Sequence, residues 1–367
     1  MRFLNEFLKL SIVVFFCSSS YAQQNRISKY NGDLSASKNF GLQKMVVLSR
    51  SKNSYNFMAL GYFINANNNM FLKTKDRKYI ENNISIIKPI IIDANSDTAY
   101  RKNVWLMNAA KGNQNTVVNG QEHLISEGYF FKYVGEFLDI ISKYNLYENY
   151  QNSILEGLKY SFNKWKDKSF SKYGDYSMLF HQRLHTGANW AVVALYLMKY
   201  DTANKNTYSV FVTLFDKELK KALIVNRSKS GVLYYTWNST YPDKFCKALQ
   251  QIKNYKSVVQ DVSHGNHVVL YLIKAKELNN VNWKNFNFSY LSNTLKLKIL
   301  KTDSIADNVD GSTDPSVKNT GWKISDGWMK LIYYDKSLYP LFEKSLKNYQ
   351  SKINNSFLET QFNSIYP

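Results

Sequence analysis

The chain has 367 residues, carries a formal net charge of +20 and is 44% hydrophobic and 16% aromatic. This length allows one large core or two smaller ones, and the positive charge favours a polyanionic partner. The chain has no zinc-finger, helix-turn-helix or RNA-binding signature and no basic tail, which excludes nucleic acid from the expected partners. Its lysine-rich composition is also typical of an AT-rich genome, so the charge alone does not identify the partner.

Residues 1–22 are typical of a signal peptide. Arg2 and Lys9 provide positive charge, and a short apolar run extends from Leu10 to Phe16. Ser20 and Ala22 then place small residues at the −3 and −1 positions of a cleavage site, so we expect cleavage after Ala22 and a secreted or periplasmic location. The apolar run is shorter than the roughly 20 residues that span a membrane, and no second one follows, so we expect no integral membrane segment.

Residues 23–367 are interpreted as a single domain. Cys246 is the one cysteine after the leader, so no intramolecular disulfide is expected and the core must hold the fold. A short polar lead over residues 23–37 precedes stretches whose apolar residues recur at helical spacing. These stretches are Phe40–Tyr62 with a break at 51–54, Glu127–Tyr144, Tyr147–Trp165, Leu184–Tyr200, Thr207–Val225, His264–Leu278, Trp283–Leu300, Ser325–Tyr334 and Leu338–Tyr349.

Two other segments lack a clear helical pattern. Tyr79–Ile92, which contains Pro89, is either a helix end or a strand, and Val232–Trp237 is a strand or a loop. The helices come in pairs with short joins, and the fixed repeat of a solenoid is absent. We therefore predict an all-α fold with few short strands: an incomplete α/α toroid (barrel) of helical hairpins, in a monomeric protein. In a toroid the loops at one end of the inner helices line a single cleft.

The loop from Phe180 to Trp190 concentrates polar groups ahead of an apolar helix. It contains His181, Arg183, His185 and Asn189. The guanidinium of Arg183 and the amide of Asn189 can both bind a carboxylate, the first with fork geometry. The alternative is structural, with Thr186 or Asn189 as a helix cap and Arg183 on the surface.

A second loop is strongly aromatic. Its rings belong to Tyr234, Tyr235, Trp237 and Tyr241. Such rings stack on the apolar faces of pyranose sugars. A core hairpin is the alternative, because the whole chain is rich in aromatic residues.

The segment from Asp261 to His267 runs directly into an apolar helix. Asp261 or Ser263 can cap that helix, and His264 and His267 then lie one turn apart near its N-terminal end. Two imidazoles and a carboxylate on a rigid helix end favour chemistry, whereas the structural alternative is a capped core helix. The spacing is not the His-Glu-x-x-His of zinc proteases, so we predict neither a metal site nor a cofactor.

A fourth group of candidates lies near glycines towards the C-terminus. Trp322, Asp326 and Trp328 are placed to form a rim that grips a ligand. Gly311 and Asp314 are equally typical of turns. The acidic spacing does not fit a calcium loop.

Four segments carry helix-start motifs, namely Ser126–Tyr129, Thr186–Trp190, Asp261–His267 and Gly327–Trp328. They resemble motifs of α/α-toroid polysaccharide lyases, the alginate- and chondroitin-lyase-like enzymes that act on uronate polymers. The Thr-Gly-Ala-Asn sequence that ends at Asn189 is similar to the segment where chondroitin AC-type lyases place a carboxylate-binding asparagine.

This resemblance covers residues 120–340 through short motifs, and it implies an asparagine, a histidine, a tyrosine and an arginine around the scissile uronate. Asn189 matches the asparagine by motif, and His264 matches the histidine by order along the chain. No motif aligns the tyrosine. The chain also departs from the family, because no arginine follows Arg227 where the family supplies one.

Together these features predict a secreted lyase that cleaves a uronate-containing polysaccharide such as alginate by β-elimination. Asn189, Arg183 and His185 would neutralise the uronate carboxylate and so ease removal of the C5 proton. His264, or a tyrosine such as Tyr235 or Tyr241, would act as base and acid. The candidates for substrate binding are Glu127, His181, Trp190, Tyr234, Trp237, Tyr241, Asp261, His267, Trp322, Asp326 and Trp328.

Two other functions stay open. A glycoside hydrolase on the same scaffold would need two carboxylates, roughly 6.5–9.5 Å apart for an inverting mechanism. Asp261, Asp310, Asp326 and Glu127 are available, although the helix macrodipole alone favours an acidic residue at the position of Glu127. A non-catalytic glycan-binding protein would use the aromatic residues without shortening the polymer.

Overall fold

A computed structural model describes residues 23–36, 40–51, 53–93, 105–107, 120–301, 304–314, 324–350 and 356–365. The predicted signal peptide, its cleavage site and Trp322 lie outside the described residues. Within the described part of the chain, no helix combines the length and the apolar character that crossing a membrane requires.

The described regular structure is almost entirely helical, which confirms the all-α prediction. The helices are α1 (23–35), α2 (Leu42–Ser49), α3 (Phe57–Thr74), α4 (Lys78–Ile87), α5 (Leu124–Lys143), α6 (Glu148–Tyr173), α7 (Ser177–Phe180), α8 (Leu184–Tyr200), α9 (Lys205–Ala222), α10 (Lys247–Gln250), α11 (Val262–Glu277), α12 (Phe288–Thr294), α13 (Asp326–Lys330), α14 (Leu338–Gln350) and α15 (Ser356–Ile365). Strands β1 (Ile224–Arg227) and β2 (Leu233–Thr236) form one antiparallel hairpin.

Six of the described helices form an inner ring. In order around the ring, α3 packs on α5, α5 on α8, α8 on α11, α11 on α13, α13 on α15, and α15 packs back on α3. The sequence suggested an incomplete ring, and α15 supplies the member that completes it. Because α4, α6, α9, α12 and α14 return the chain between successive inner helices, the inner helices run in one direction. Their N-terminal ends therefore gather at one end of the barrel.

The predicted polar lead is in fact helix α1. Ile27, Tyr30 and Leu34 recur at helical spacing and pack against the core, with Tyr30 fully buried. Arg26 forms an ion pair with Glu343 of α14. The prediction failed because the polar residues of the exposed face outnumber this narrow apolar stripe.

The two ambiguous segments are settled by the backbone. Tyr79–Ile92 is helical, not a strand: α4 continues into a wider π-helical turn over Lys88–Ile92. Pro89 lies within that turn, where its missing N–H interrupts normal helical hydrogen bonding. The strand reading of Val232–Trp237 is confirmed by β2, which pairs with β1.

The interior of the ring is polar. Glu136 of α5 forms an ion pair with Lys274 of α11 and lies 3.5 Å from Lys330 of α13, and all three side chains are buried. Lys330 also donates a hydrogen bond to Asn65 of α3 at 3.1 Å. The ring is thus joined at its axis by charges as well as by apolar packing.

The C-terminal ends of the inner helices surround a cleft of about 810 Å³. Its walls are lined by lysines from the last turns of five inner helices. They are Lys73, Lys143, Lys199, Lys274 and Lys330.

Helix α13 approaches α11 very closely at Gly327. A Cβ atom at this position would lie 2.1 Å from the backbone oxygen of Asn266 and 3.0 Å from the backbone nitrogen of Leu270. Only glycine fits here, because both atoms belong to backbone that cannot turn aside.

Replacing Gly327 by alanine is therefore expected to destabilise the protein by about 3 kcal/mol, since α13 must move away from α11. Gly32→Ala in α1 is the matched control, because a Cβ there meets nothing within 4 Å. That change should stabilise the helix by up to about 1 kcal/mol. Urea unfolding followed by circular dichroism measures both variants, and equal midpoints would contradict the close approach.

Candidate functional site

Three histidines lie together where the N-terminal ends of α8 and α11 meet. The imidazole of His185 stacks on that of His264, with ring centroids 4.2 Å apart. His267 lies one turn further along α11, 6.3 Å from His185 and 6.4 Å from His264. Tyr129 of α5 packs edge-on against His267 at 4.5 Å. We call His185, His264 and His267 the histidine cluster.

Asp261 is the N-cap of α11 and orients His264. Its Oδ1 accepts hydrogen bonds from the backbone N–H of His264 at 2.9 Å and from the hydroxyl of Ser263 at 2.6 Å. The Nδ1 of His264 lies 2.9 Å from both carboxylate oxygens. Burial raises the pKa of Asp261, but the hydrogen bonds and charge of His264 outweigh it and hold the pKa well below its usual value. A carboxylate at Nδ1 keeps a proton there and leaves Nε2 free to accept another.

Members of the histidine cluster differ in exposure. The side chain of His264 is 44% exposed, whereas His185 and His267 are buried. Burial lowers the pKa of both buried imidazoles well below its usual value, and the charge of His264 acts in the same direction on His185. The buried pair is therefore uncharged near pH 7, and His264 connects the cluster to solvent.

Lys132 of α5 lies directly behind the cluster and was missed by the sequence analysis. Its Nζ is 2.7 Å from Nδ1 of His267. Burial lowers the pKa of Lys132 to about 7. A charged residue between Phe131 and Tyr133, inside an otherwise apolar helical run, was the signal that could have revealed it.

Asp326 lies at the N-terminal end of α13 and is completely buried. The hydroxyl of Tyr133 donates to its Oδ2 at 2.6 Å, and the hydroxyl of Ser325 donates to its Oδ1 at 3.2 Å. The charge of Asp326 also acts on Lys132, in the direction that favours the ammonium form. Asp326 therefore belongs, with Tyr133 and Lys132, to a group of buried polar side chains next to the histidine cluster.

Asn189 follows His185 by one helical turn on the same face of α8. It is 1% exposed, and neither its amide oxygen nor its amide nitrogen makes a hydrogen bond with the described residues. Gly128 of α5 allows this approach, because a Cβ there would lie 3.4 Å from Asn189 and 3.1 Å from the Trp190 ring nitrogen. A buried amide without partners costs free energy, which is typical of groups that bind a ligand.

The remaining basic candidates surround the cluster. Arg183, the residue before α8, donates a hydrogen bond to the hydroxyl of Ser239 at 2.6 Å. Its charge acts on His185, as does that of His181, while His123 acts on His181. Each of the five histidines of the chain thus interacts electrostatically with at least one other histidine at this end of the barrel.

Glu127 forms a structural ion pair with α6, away from the histidine cluster. Its buried carboxylate lies 2.7 Å from the ammonium of Lys164 and accepts a hydrogen bond from Ser161 at 2.6 Å, both on α6. Burial raises the pKa of Glu127, although Lys164 opposes that effect. This ion pair joins α5 to α6 and does not involve the histidine cluster.

Trp237 and Trp328 form a buried stack rather than a rim, with ring centroids 5.8 Å apart. The indole N–H of Trp328 donates to the backbone oxygen of Val262 at 2.9 Å. Both rings lie close to Gly265, within 3.4 Å of where its Cβ would be. The two rings pack against the first turn of α11. Because both are buried, they are not placed to contact a sugar.

The tyrosines of the aromatic loop have partners away from the cluster. Tyr235 stacks on Phe286 with ring centroids 5.3 Å apart, and the ring of Tyr234 lies 4.9 Å from the ammonium of Lys298. Tyr241 is buried and donates to the backbone oxygen of Phe180 at 3.2 Å. The structure thus gathers His185, His264, His267, Asp261 and Asn189 at one place but does not bring these tyrosines to them.

Among the residues that the structure describes, no group of three or more His, Cys, Asp or Glu side chains is arranged to hold a metal ion. Nδ1 of His264 is already bound by Asp261, and Nδ1 of His267 by Lys132. In both rings Nε2 is the nitrogen that these contacts leave for a proton or a hydrogen bond.

A scan against protein-family models and searches among curated proteins and solved structures found no match. The resemblance to polysaccharide lyases thus rests on the short sequence motifs alone.

The buried, uncharged histidines predict a loss of stability in acid. The pKa of His185 is held below that of the unfolded chain, so the unfolded state binds more protons once the pH falls through about 6.5. The free energy of unfolding should then decrease by roughly 1.4 kcal/mol per pH unit for this histidine until the folded-state pKa is reached. The stabilisation is fully present above that range.

Urea unfolding of the wild type and of His185→Gln at several pH values tests this. As the pH falls below about 6.5 the variant should lose less stability than the wild type, because it has no imidazole at this position to bind a proton on unfolding. Parallel stability curves for the two proteins would show that His185 is not held uncharged in the folded state.

Proposed function

We propose that the protein is a secreted or periplasmic polysaccharide lyase that cleaves an acidic, uronate-containing polysaccharide by β-elimination, with His264 as the base. The observation that carries this proposal is a solvent-connected Asp261–His264 pair on α11, next to the helix that holds the unpartnered buried amide of Asn189. One group can take a proton, and the other can bind a carboxylate.

β-Elimination requires both a base and a group that binds the uronate carboxylate, the roles proposed for His264 and Asn189. Nε2 of His264 would take the C5 proton, the C–H electrons would form the C4–C5 double bond, and the C4–O bond would break with its electron pair left on the glycosidic oxygen. The His264 imidazolium would then return the proton to that oxygen, which leaves as a hydroxyl group. Negative charge develops on the uronate carboxylate during this step, so donors placed at that group lower the barrier. Asn189 supplies a donor, and the N-terminal ends of α5, α8 and α11 add the positive ends of their dipoles.

The charge around the histidine cluster supports an anionic substrate. Arg183 and His181 lie within electrostatic reach of the cluster, on the loop ahead of α8. The formal net charge of +20 favours the approach of a polyanion as well.

The state of the carboxylates favours elimination over hydrolysis. Asp261 is bound to His264, Glu127 to Lys164, and Asp326 to Tyr133. A glycosidase needs one carboxylic acid and one carboxylate that both reach the glycosidic bond. Proton transfer by an imidazole does not require such a pair.

His264→Ala should abolish the release of unsaturated products, because it removes the proton acceptor. Ultraviolet absorbance of the C4–C5 double bond measures this on a panel of alginate, glucuronan, pectate, ulvan and glycosaminoglycans. Asp261→Asn should lower kcat by about 100-fold or more, since the imidazole loses the partner that sets its tautomer. Unfolding midpoints of both variants show whether the fold is retained.

The products also test the alternatives. Shortened chains without the chromophore would identify a hydrolase, and binding without shortening would identify a glycan-binding protein. Undiminished activity of folded His264→Ala would remove this residue from the mechanism.

Asn189→Asp should lower kcat/KM by roughly 100-fold to 1000-fold, because a carboxylate of the same shape repels that of the uronate. The matched control is a substrate whose uronate carboxyl group is methyl-esterified. The loss caused by the substitution should be smaller on that substrate. An equal loss on both would show that Asn189 does not contact the carboxylate.

A further inference from the structure

Lys132 is a buried lysine whose ammonium forms no ion pair with the described carboxylates. It is 1% exposed, and none of the described carboxylates lies within ion-pair distance of its ammonium. Lys274 on the same axis shows the contrast, because it pairs directly with Glu136 and Glu277. Burying a cation without an ion pair is costly, so a purely structural role explains Lys132 poorly.

The groups facing Lys132 come from four inner helices. Tyrosine rings surround its Nζ, with centroids 5.9 Å away for Tyr62 of α3 and 5.2 Å and 4.5 Å away for Tyr129 and Tyr133 of α5. The charged neighbours act in both directions: Glu136 and Asp326 favour the ammonium, and Lys330 disfavours it. From α11 it meets the imidazole of His267, its one hydrogen-bond partner among the described residues.

The hydrogen bond decides the tautomer of His267. An ammonium group has three donors and no acceptor, so Nδ1 of His267 must accept from it. The imidazole is then uncharged and carries its proton on Nε2. The nearby positive charge also opposes a second proton on this ring, in addition to the effect of burial.

We infer that Lys132 is a positioning residue that holds His267 uncharged, with its proton on Nε2, and so directs the proton taken from substrate onto His264. The inference deepens the proposed lyase function and rests on it for its last step. A carboxylate, Asp261, faces Nδ1 of His264, whereas an ammonium, Lys132, faces Nδ1 of His267 and opposes a second proton on that ring. The two imidazoles therefore have different roles: His264, next to Asp261, accepts the proton, and His267, next to Lys132, does not.

Nuclear magnetic resonance of the full chain, labelled with ¹⁵N-histidine, tests the inference without any substrate. The chain has five histidines, so five imidazole patterns are expected, and His→Gln variants assign them. At pH 6 the His267 signals should show a protonated Nε2 and an accepting Nδ1. A neutral amine has a lone pair, so this preference should weaken above about pH 7, where Lys132 loses its proton.

Three variants test whether the tautomer of His267 depends on Lys132. Lys132→Met should give mixed tautomers of His267 and a higher pKa for this ring, because both the donor and the charge are lost. Lys132→Arg keeps both, so it should hold the Nε2–H tautomer at pH 6 and also at pH 8. Lys330→Met is the matched control, a buried lysine of the same axis bonded to Asn65. It should leave the His267 tautomer at pH 6 unchanged, because the charge of Lys330 only disfavours the ammonium form of Lys132.

Two results would overturn the inference: a wild-type His267 protonated on Nδ1 at pH 6, or a folded Lys132→Met with wild-type signals. If Lys132→Met does not fold, the wild-type and Lys132→Arg spectra decide the question. In the absorbance assay, Lys132→Met should lower kcat by about 10-fold to 100-fold with little change in KM, and Lys132→Arg should retain most activity. A wild type that forms no chromophore would refute the proposed function and leave the tautomer result to stand alone.

Discussion

The barrel depends on the ion pairs that Glu136 makes at its axis. This carboxylate joins α5 to α11 through Lys274 and to α13 through Lys330, and burial of all three groups makes the loss of any one costly. Lys132 lies one helical turn before Glu136 on α5, so the same polar column continues from the charged network to His267. The position of the histidine cluster is therefore set by interactions that also hold the ring together.

The two ends of the barrel differ in their electrostatics. At one end the inner helices present backbone N–H groups together with the five histidines of the chain, which suits an anion. At the other end the helix dipoles are negative, and lysines such as Lys73 and Lys199 in the last turns offset them. The lysine-lined cleft is thus explained by the helix ends themselves, while the histidine end has unpaired groups.

Local chemistry made part of this structure predictable from sequence. The cap at Asp261 and the helix starts near residues 126, 186 and 326 follow from short-range rules, and their meeting follows once a toroid is assumed. The position of Lys132 between apolar residues marks it as unusual, but its contact with His267 could not be predicted, because its burial results from contacts with helices far away in the chain. For the same reason the sequence could not separate Tyr235, which packs on Phe286, from a tyrosine that reaches the site.

The closure of the ring by α15 has a consequence for how the molecule is made. Arg26 and Glu343 are separated by 317 residues, and α15 packs on both α13 and α3. Contacts between such distant segments form slowly, since a long loop must first be closed. Because α15 must return to α3 after the intervening inner helices have been placed, closure of the ring is expected to be a late step in folding.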